Sequence, residues 1–175
     1  MREAQLVELV DASGVAVGES TVAHAHAAPG VLHRAFSVHL MDEQGRLLLQ
    51  RRAARKTRFA RRWANACCGH PGPGEKVAAA ALRRLTEELS VEGVPLAEIG
   101  VYPYRADDPA TGHVEYEYDH VLLGRVADGL PVHPDPAEVD EVRWVTLASL
   151  GAELRAEPDS FAPWLSGVVA LLDAV

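Results

Sequence analysis

The sequence has few cysteines, no long apolar segment and no excess of basic residues. Its two cysteines, Cys67 and Cys68, are adjacent, so they cannot form a disulfide framework. No apolar run approaches membrane-spanning length and no charged-then-apolar leader opens the chain, so we expect a cytoplasmic protein without a membrane partner. The formal net charge of −8 argues against a general nucleic-acid binder.

Length and composition are those of one globular domain, which we predict over residues 1–175. A chain that is 48% hydrophobic and 24% charged can bury a core without disulfides. The alternation of strand-like and helix-like segments predicts an α/β sandwich. The predicted strands cover residues 5–10, 33–41, 46–51, 63–66, 98–104, 113–123 and 141–145. The predicted helices cover residues 75–89, 147–155 and 161–174, and residues 23–30 are predicted to form a loop.

The stretch from Cys68 to Glu88 brings a thiol, an imidazole and carboxylates to a predicted loop–helix junction. Two glycines and two prolines at 71–74 exclude regular structure there. Apolar residues then recur at helical spacing: Val77, Ala81, Leu82, Leu85 and Leu89. Taken alone, the pattern is typical of an amphipathic helix with a solvated face, on which Arg84 and Glu88 lie four residues apart.

Six positions in this stretch resemble the Nudix box, a loop–helix–loop that holds a magnesium diphosphate. They are Gly69, Glu75, Arg83, Leu85, Glu87 and Glu88. Nudix hydrolases have Glu and Gly at two further positions of this box, where this sequence has Arg84 and Ser90. The stretch 65–71, Asn-Ala-Cys-Cys-Gly-His-Pro, is similar to the active site of type 1 isopentenyl-diphosphate isomerases. The resemblance runs from about Leu6 to Trp164 and implies a Nudix-type α/β/α sandwich with a mixed sheet.

The resemblance also implies a metal site with five protein ligands. They are His26, His33, His70, Glu115 and Glu117. Side chains alternate along a strand, so the two glutamates are predicted to share one face. Imidazoles combined with carboxylates suit Mn²⁺ or Zn²⁺. A second ion, Mg²⁺, is expected between Glu88 and the substrate diphosphate, because this hard cation prefers carboxylate and phosphate oxygens. His24 is excluded from the set by its spacing to His33.

Basic residues crowd the segment 51–62 of this acidic chain. Composition alone is also compatible with a solvated loop or a nucleic-acid patch, but guanidinium groups match phosphate oxygens, so a small diphosphate explains the cluster more economically. By resemblance, Arg52, Lys56 and Arg84 contact the diphosphate. The family has a further lysine before its first metal histidine, and Val22 occupies that place here.

The activity implied by the resemblance is isomerisation of isopentenyl diphosphate to dimethylallyl diphosphate in isoprenoid biosynthesis, through a tertiary carbocation. Glu117, assisted by Tyr104, is predicted to deliver a proton, and Cys68 to remove one. The π face of Trp164 is predicted to stabilise the cation, unless this residue only packs a terminal helix. Two alternatives stay open: a Nudix hydrolase of a nucleoside diphosphate derivative, and a non-catalytic, metal-stabilised paralogue. We expect a monomer or a weak dimer.

Overall fold

Nine strands form a mixed sheet in the computed structural model, which describes residues 2–174. The strands are β1 (Leu6–Val10), β2 (Ala16–Thr21), β3 (His33–Met41), β4 (Arg46–Arg52), β5 (Trp63–Ala64), β6 (Cys67–Gly69), β7 (Leu96–Asp107), β8 (Val114–Arg125) and β9 (Val139–Thr146). The helices are α1 (Val22–His26), α2 (Val77–Leu89), α3 (Leu147–Ala156) and α4 (Leu165–Ala170), with 3₁₀ turns at Arg2–Ala4, Pro158–Ser160 and Leu171–Ala174. The single-domain prediction includes Met1 and Val175, which lie outside the described residues.

Strand β3 is the centre of the sheet and determines where the site forms. It pairs in parallel with β8 along its whole length, beginning with His33 opposite Glu117. It also pairs antiparallel with the short strand β6, with Ser37 opposite Cys68. Strands β7 and β8 form a long antiparallel hairpin, and β4 pairs with β5 and β9. The strands that carry Cys68, Glu115 and Glu117 are therefore both paired with β3, which itself begins with His33.

Helices pack against both sides of these strands, and each side has its own buried core. On one side α2 buries Ala81 and Leu85 in a cluster with Phe36 and Val38. On the other side α4 buries Leu165 in a cluster that includes residues of β4 and β8. Burial of a leucine side chain contributes about 2 kcal/mol, so each helix is held mainly by its apolar face. The predicted α/β/α sandwich with a mixed sheet is confirmed. Within residues 2–174, no helix is long and apolar enough to cross a membrane.

One local prediction before β3 was wrong, and one strand was missed. Residues 23–30 were predicted as a loop, but α1 occupies the first part of this segment. Its N-terminus is capped by Thr21, whose Oγ1 accepts a hydrogen bond from the backbone N–H of His24 at 3.2 Å. Strand β2 was missed because most of its residues are exposed and show no apolar alternation, although it pairs with β1 over its whole length.

Among the boundaries that differ from the prediction, three have a clear structural reason. Cys67–Gly69 were assigned to a loop but form β6, because β3 offers them an antiparallel partner. Helix α2 begins at Val77, so Glu75 precedes the helix instead of opening it. The predicted helix over 161–174 begins only at Leu165, because Phe161 is extended and pairs with Trp63.

Candidate active site

A cavity of about 420 Å³ lies beside the junction of β3, β6 and β8, which is a suitable size for a small ligand. Nine of the predicted site residues line it: Arg52, Lys56, Cys68, His70, Arg84, Tyr104, Glu115, Glu117 and Trp164. His26, His33 and Glu88 are buried next to residues of the cavity wall. The topology thus brings together all the residues that the sequence assigned to the site, although their individual roles stay predictions.

The three predicted metal histidines form a compact cluster. His26 ends α1, His33 begins β3 and His70 follows β6, and their ring centroids lie 4.6 to 5.0 Å apart. With Glu117 they form a group whose potential ligand atoms all lie within 4.8 Å of one another. Three imidazoles and one carboxylate at such separations suit a divalent ion.

The hydrogen bonds of His33 show that this group fits a metal ion. Its Nδ1 donates to the backbone carbonyl of Val31 at 2.7 Å, which leaves the lone pair of the neutral ring on Nε2. That Nε2 atom is buried, has no hydrogen-bond partner among the described residues, and lies 3.7 Å from Glu117 Oε1. An unpaired buried nitrogen is costly in a folded protein, whereas it is the atom that a metal-binding histidine must offer.

Glu115 is placed differently from the other predicted ligands. It faces the cavity on the same side of β8 as Glu117, as strand alternation requires. One of its carboxylate oxygens lies 2.8 Å from His26 Nε2, and the other accepts from Arg58 Nε at 3.2 Å. Glu115 therefore bridges His26 and Arg58, and the group of four potential ligands does not include it. Its role as a metal ligand stays a prediction.

Burial and close contacts shift the pKa values of the cluster in opposite directions. Burial acts to lower the pKa of His26, but its hydrogen bond to Glu115 and its contact with Glu117 outweigh it and raise that pKa to about 9. The pKa of His70 is lowered to about 4, mainly by burial. Burial acts to raise the pKa of Glu117, but its contacts with the three imidazoles hold that pKa well below the ordinary value. Glu117 is therefore a carboxylate at neutral pH in the free protein.

The two adjacent cysteines point to opposite sides of β6. Cys67 is fully buried in the core under α2, whereas Cys68 lines the cavity. The Cys68 thiol lies 3.2 Å from Asn65 Oδ1, which also accepts a hydrogen bond from Trp164 Nε1 at 3.1 Å. Burial raises the pKa of Cys68 to about 12, and the nearby Asp119 contributes to this shift. Cys68 is therefore a thiol at neutral pH.

Aromatic side chains form the wall between the thiol and the carboxylate. The Tyr104 hydroxyl donates to Glu117 Oε2 at 2.6 Å, which fixes both side chains. The pKa of Tyr104 is raised well above its ordinary value, first by burial and then by the charge of Glu117. The Trp164 ring is 3% exposed and packs edge-on against Phe59, with ring centroids 5.6 Å apart. It also lines the cavity, so Trp164 is both a packing residue and a surface available to a ligand.

Cations and carboxylates are interleaved at one end of the cavity. Arg84 pairs with Glu88 and Lys56 with Glu138, while Lys56 Nζ lies 3.8 Å from Glu88. Arg84 is 5% and Glu88 1% exposed, so these two side chains are buried, unlike the solvated face that the helix pattern taken alone is typical of. Glu88 is also fixed by Gln50, whose Nε2 donates to it at 3.0 Å. Either Arg84 or Glu88, buried without a partner of opposite charge, would strongly destabilise the fold, so the two residues depend on each other.

Arg52 differs from the other two predicted diphosphate contacts. Its guanidinium donates to the backbone carbonyls of Arg58 at 2.8 Å and Phe59 at 3.1 Å. The same guanidinium lies over the Trp164 ring, with Cζ 5.4 Å from the centroid. Arg52 therefore holds the basic loop and the aromatic wall in position, and it also lines the cavity.

Sequence reasoning missed three residues that complete the site. Asn65 was part of the motif that indicated the family, but no contact was assigned to it. Glu138 lies just before β9, in a segment without any recognisable motif, and Arg2 belongs to the first 3₁₀ turn. Both reach the cavity only through the tertiary fold, so no local pattern could have revealed them.

The fold and the loop–helix site define a class of protein, and comparisons with known proteins agree with it. The family model described as NUDIX domain matches residues 31–165. Among solved structures, DR0079 from Deinococcus radiodurans superposes with a TM-score of 0.75 at 21% identity, covering 94% of this chain and 97% of that one. A MutT protein from Methanosarcina mazei gives a TM-score of 0.62 at 16% identity, covering 82% and 94%. These two structures show that the fold is shared.

Curated relatives narrow the class to one family. A protein of Nocardia farcinica named isopentenyl-diphosphate Delta-isomerase is 60% identical over 96% of this chain and 94% of its own length. Proteins with the same name from Streptomyces griseus and Halorhodospira halophila are 49% and 42% identical, covering 98% and 93% of this chain and 84% and 92% of their own lengths. The chain belongs to the isopentenyl-diphosphate Delta-isomerase family, within the Nudix fold.

Proposed function

We propose that this protein interconverts isopentenyl diphosphate and dimethylallyl diphosphate by adding and removing a proton. The observation that supports this most directly is the placement of Cys68 and Glu117. They belong to strands on the two sides of β3 and line one cavity, together with Trp164. A reaction that moves a double bond needs a donor and an acceptor beside the same few carbon atoms, in a pocket that excludes water.

We assign Glu117 as the donor and Cys68 as the acceptor, although the resting pair, a carboxylate and a thiol, must first move its proton from Cys68 to Glu117. An alkene is a weak base, so its terminal methylene carbon needs a strong acid. The protonated form of a carboxyl with a depressed pKa is a stronger acid than a thiol whose pKa is about 12. The thiolate of Cys68 is correspondingly the stronger base for removing a proton from the chain carbon next to the cation. The active pair is thus the minor form, in which one proton has moved from the thiol to the carboxyl.

Tyr104 and Trp164 act on the same intermediate in different ways. The Tyr104 hydroxyl, hydrogen-bonded to Glu117, keeps the carboxyl oriented toward the cavity. The Trp164 ring offers its negative π face to the tertiary carbocation and so stabilises its positive charge. The hydrogen bond from Trp164 to Asn65 fixes the ring beside the Cys68 thiol.

We propose Mn²⁺ or Zn²⁺ as the ion held by His26, His33, His70 and Glu117, with Glu115 as a further ligand. When bound, such an ion would fix the Glu117 carboxylate and favour release of its proton. Protein residues prepare the site, because the Nδ1 atoms of His26 and His33 donate to backbone carbonyls and turn Nε2 inward. Mg²⁺ is proposed at Glu88, where it would enter with the substrate diphosphate.

Arg84, Lys56 and Arg52 are proposed to bind the diphosphate. Arg84 and Lys56 already face carboxylates at one end of the cavity, so their side chains are ordered before the substrate arrives. The hydrocarbon part of the substrate would then extend toward Cys68 and Trp164. We further propose that the protein works in the cytoplasm as a monomer or weak dimer without a nucleic-acid partner.

The test is incubation of the purified protein with isopentenyl diphosphate, Mg²⁺ and Mn²⁺, followed by proton NMR. Dimethylallyl diphosphate without release of inorganic phosphate would support the proposal. Phosphate or nucleotide release from a nucleoside diphosphate derivative, with no isomer formed, would favour a hydrolase. Metal and ligand binding with neither reaction would favour a non-catalytic paralogue.

A further inference from the structure

Arg2, in the first 3₁₀ turn, reaches the end of the cavity where Lys56 and Arg84 face carboxylates. Its guanidinium lies 3.1 Å from Glu138, 3.5 Å from Glu88 and 3.5 Å from Glu87. The residue lines the same cavity as Lys56 and Arg84. On this basis, and resting on the proposed function, we propose that Arg2 binds the diphosphate as a further substrate-binding residue.

The turn that carries Arg2 is held in place by two neighbouring segments. The carboxylate of Glu3 accepts hydrogen bonds from Thr57 Oγ1 at 3.0 Å and from Arg58 Nη1 at 3.2 Å, both in the basic loop. The carbonyl of Gln5 accepts a hydrogen bond from the backbone N–H of Val22 at 2.9 Å, which links the turn to α1. Arg2 is therefore presented to the cavity by a turn that is anchored on both sides.

Helix α1 contributes no lysine or arginine to the cavity. The α1 residue that lines the cavity is Val22, which is apolar and 4% exposed. Arg2 supplies positive charge at this side, and its side chain is 38% exposed, so it is free to turn toward a ligand. A guanidinium also offers paired donors that match two phosphate oxygens, which an ammonium cannot do.

Charge balance explains how the same residues accommodate both the empty and the filled cavity. In the free protein, each of four cations at this end has a carboxylate partner: Arg2, Lys56 and Arg84 face Glu87, Glu88 and Glu138, and Arg83 pairs with Glu75 and Glu87. A diphosphate entering with a divalent ion brings anionic oxygens for the cations and a positive charge for the carboxylates. The substrate therefore replaces pairs that exist already, and no charge is left buried and unpaired.

Binding of inorganic diphosphate in the presence of Mg²⁺, measured by calorimetry, tests the proposal without requiring turnover. We expect Arg2→Ala to weaken binding roughly tenfold, because one charge-assisted contact is lost. Arg2→Lys should retain part of the affinity, since lysine keeps the positive charge but lacks the paired N–H donors of a guanidinium. The control, Arg155→Ala, removes one exposed positive charge on α3 and should bind as the wild type does. An unchanged Kd in Arg2→Ala would overturn the proposal.

Steady-state kinetics and a rescue variant separate a binding role from a structural one. The diphosphate keeps its charge throughout the reaction, so Arg2→Ala should raise KM for isopentenyl diphosphate roughly tenfold and leave kcat nearly unchanged. Adding Val22→Lys to Arg2→Ala should restore most of the diphosphate affinity, because residue 22 lines the same side of the cavity. A fall in kcat at constant KM, or no rescue in a double variant that melts like the wild type, would contradict the proposal. If diphosphate binding depends on Arg2 but the protein does not isomerise isopentenyl diphosphate, the proposed function is refuted and the role of Arg2 in binding is not.

Discussion

Replacing each of the adjacent cysteines by alanine tests the proposed chemistry with a control that is built into the chain. Cys68 lines the cavity, whereas Cys67 is fully buried in the core beneath α2. Cys68→Ala should therefore remove activity and leave the fold intact. Cys67→Ala should lower stability and leave activity nearly intact.

The two effects differ in size as well as in kind. Loss of a proton acceptor costs about 10² to 10⁴ in rate, so Cys68→Ala should lower kcat about 10³-fold. The Cys68 thiol has two weak contacts, with Asn65 at 3.2 Å and with Ser37 at 3.7 Å, so its loss should change the free energy of unfolding by less than about 1 kcal/mol. Removing the buried sulfur of Cys67 leaves a small cavity in the core, which should cost about 1 kcal/mol of stability.

The assay follows product formation and deuterium incorporation in D₂O, with urea unfolding measured on the same samples. If Glu117 delivers the proton and Cys68 removes it, Cys68→Ala should still exchange deuterium into the terminal methylene of isopentenyl diphosphate without forming the isomer. Glu117→Gln should show no exchange. Exchange in Glu117→Gln and none in Cys68→Ala would instead make Cys68 the donor and Glu117 the acceptor. Full activity in Cys68→Ala, or loss of activity in a folded Cys67→Ala, would refute the reasoning about β6.

Two further predictions concern the histidines. Replacing His26, His33 or His70 by alanine should lower both the bound Mn²⁺ or Zn²⁺ and the activity, because each change removes a potential ligand. Replacement of the exposed His24 by alanine is the control and should change neither. Full metal content by elemental analysis in all three variants would exclude the site. Burial lowers the pKa of His39 from 6.5 to about 4, so between these pH values the unfolded chain binds a proton that the folded protein does not. The free energy of unfolding should therefore fall by about 3 kcal/mol as the pH drops from 6.5 to 4. Urea unfolding of His39→Leu should lack this part of the dependence of stability on pH. An identical pH profile in the variant and the wild type would show that His39 is not the cause.

The sequence predicted the central part of the fold because its signals there are local. The apolar periodicity of α2 and the patterns of β3, β4 and β8 depend on neighbouring residues, and these elements appear close to their predicted positions. The short helix α1 escaped prediction because five residues carry too little periodicity, and its cap is a single threonine hydrogen bond. The exposed strand β2 escaped because only its partner β1 determines it.

The predicted site residues also depended on local motifs, and residues outside those motifs were missed. Cys68 and His70 share one motif, and Glu115 and Glu117 share another, so each pair could be found by pattern. Glu138 reaches Lys56 and Arg84 only because β9 pairs with β4, which no local pattern encodes. The burial of Arg84 and Glu88 was likewise invisible, since a buried ion pair and a solvated one have the same helical spacing.

The measurement that tests the central claim most directly is deuterium incorporation by the wild-type protein. Incubated with isopentenyl diphosphate and both metal ions in D₂O, it should yield dimethylallyl diphosphate with deuterium in the methyl group formed from the terminal methylene. That result requires that the added proton derive from solvent, and in this account Glu117, assisted by Tyr104, delivers it. An isomer that contains no deuterium, or inorganic phosphate as the product, would contradict the account.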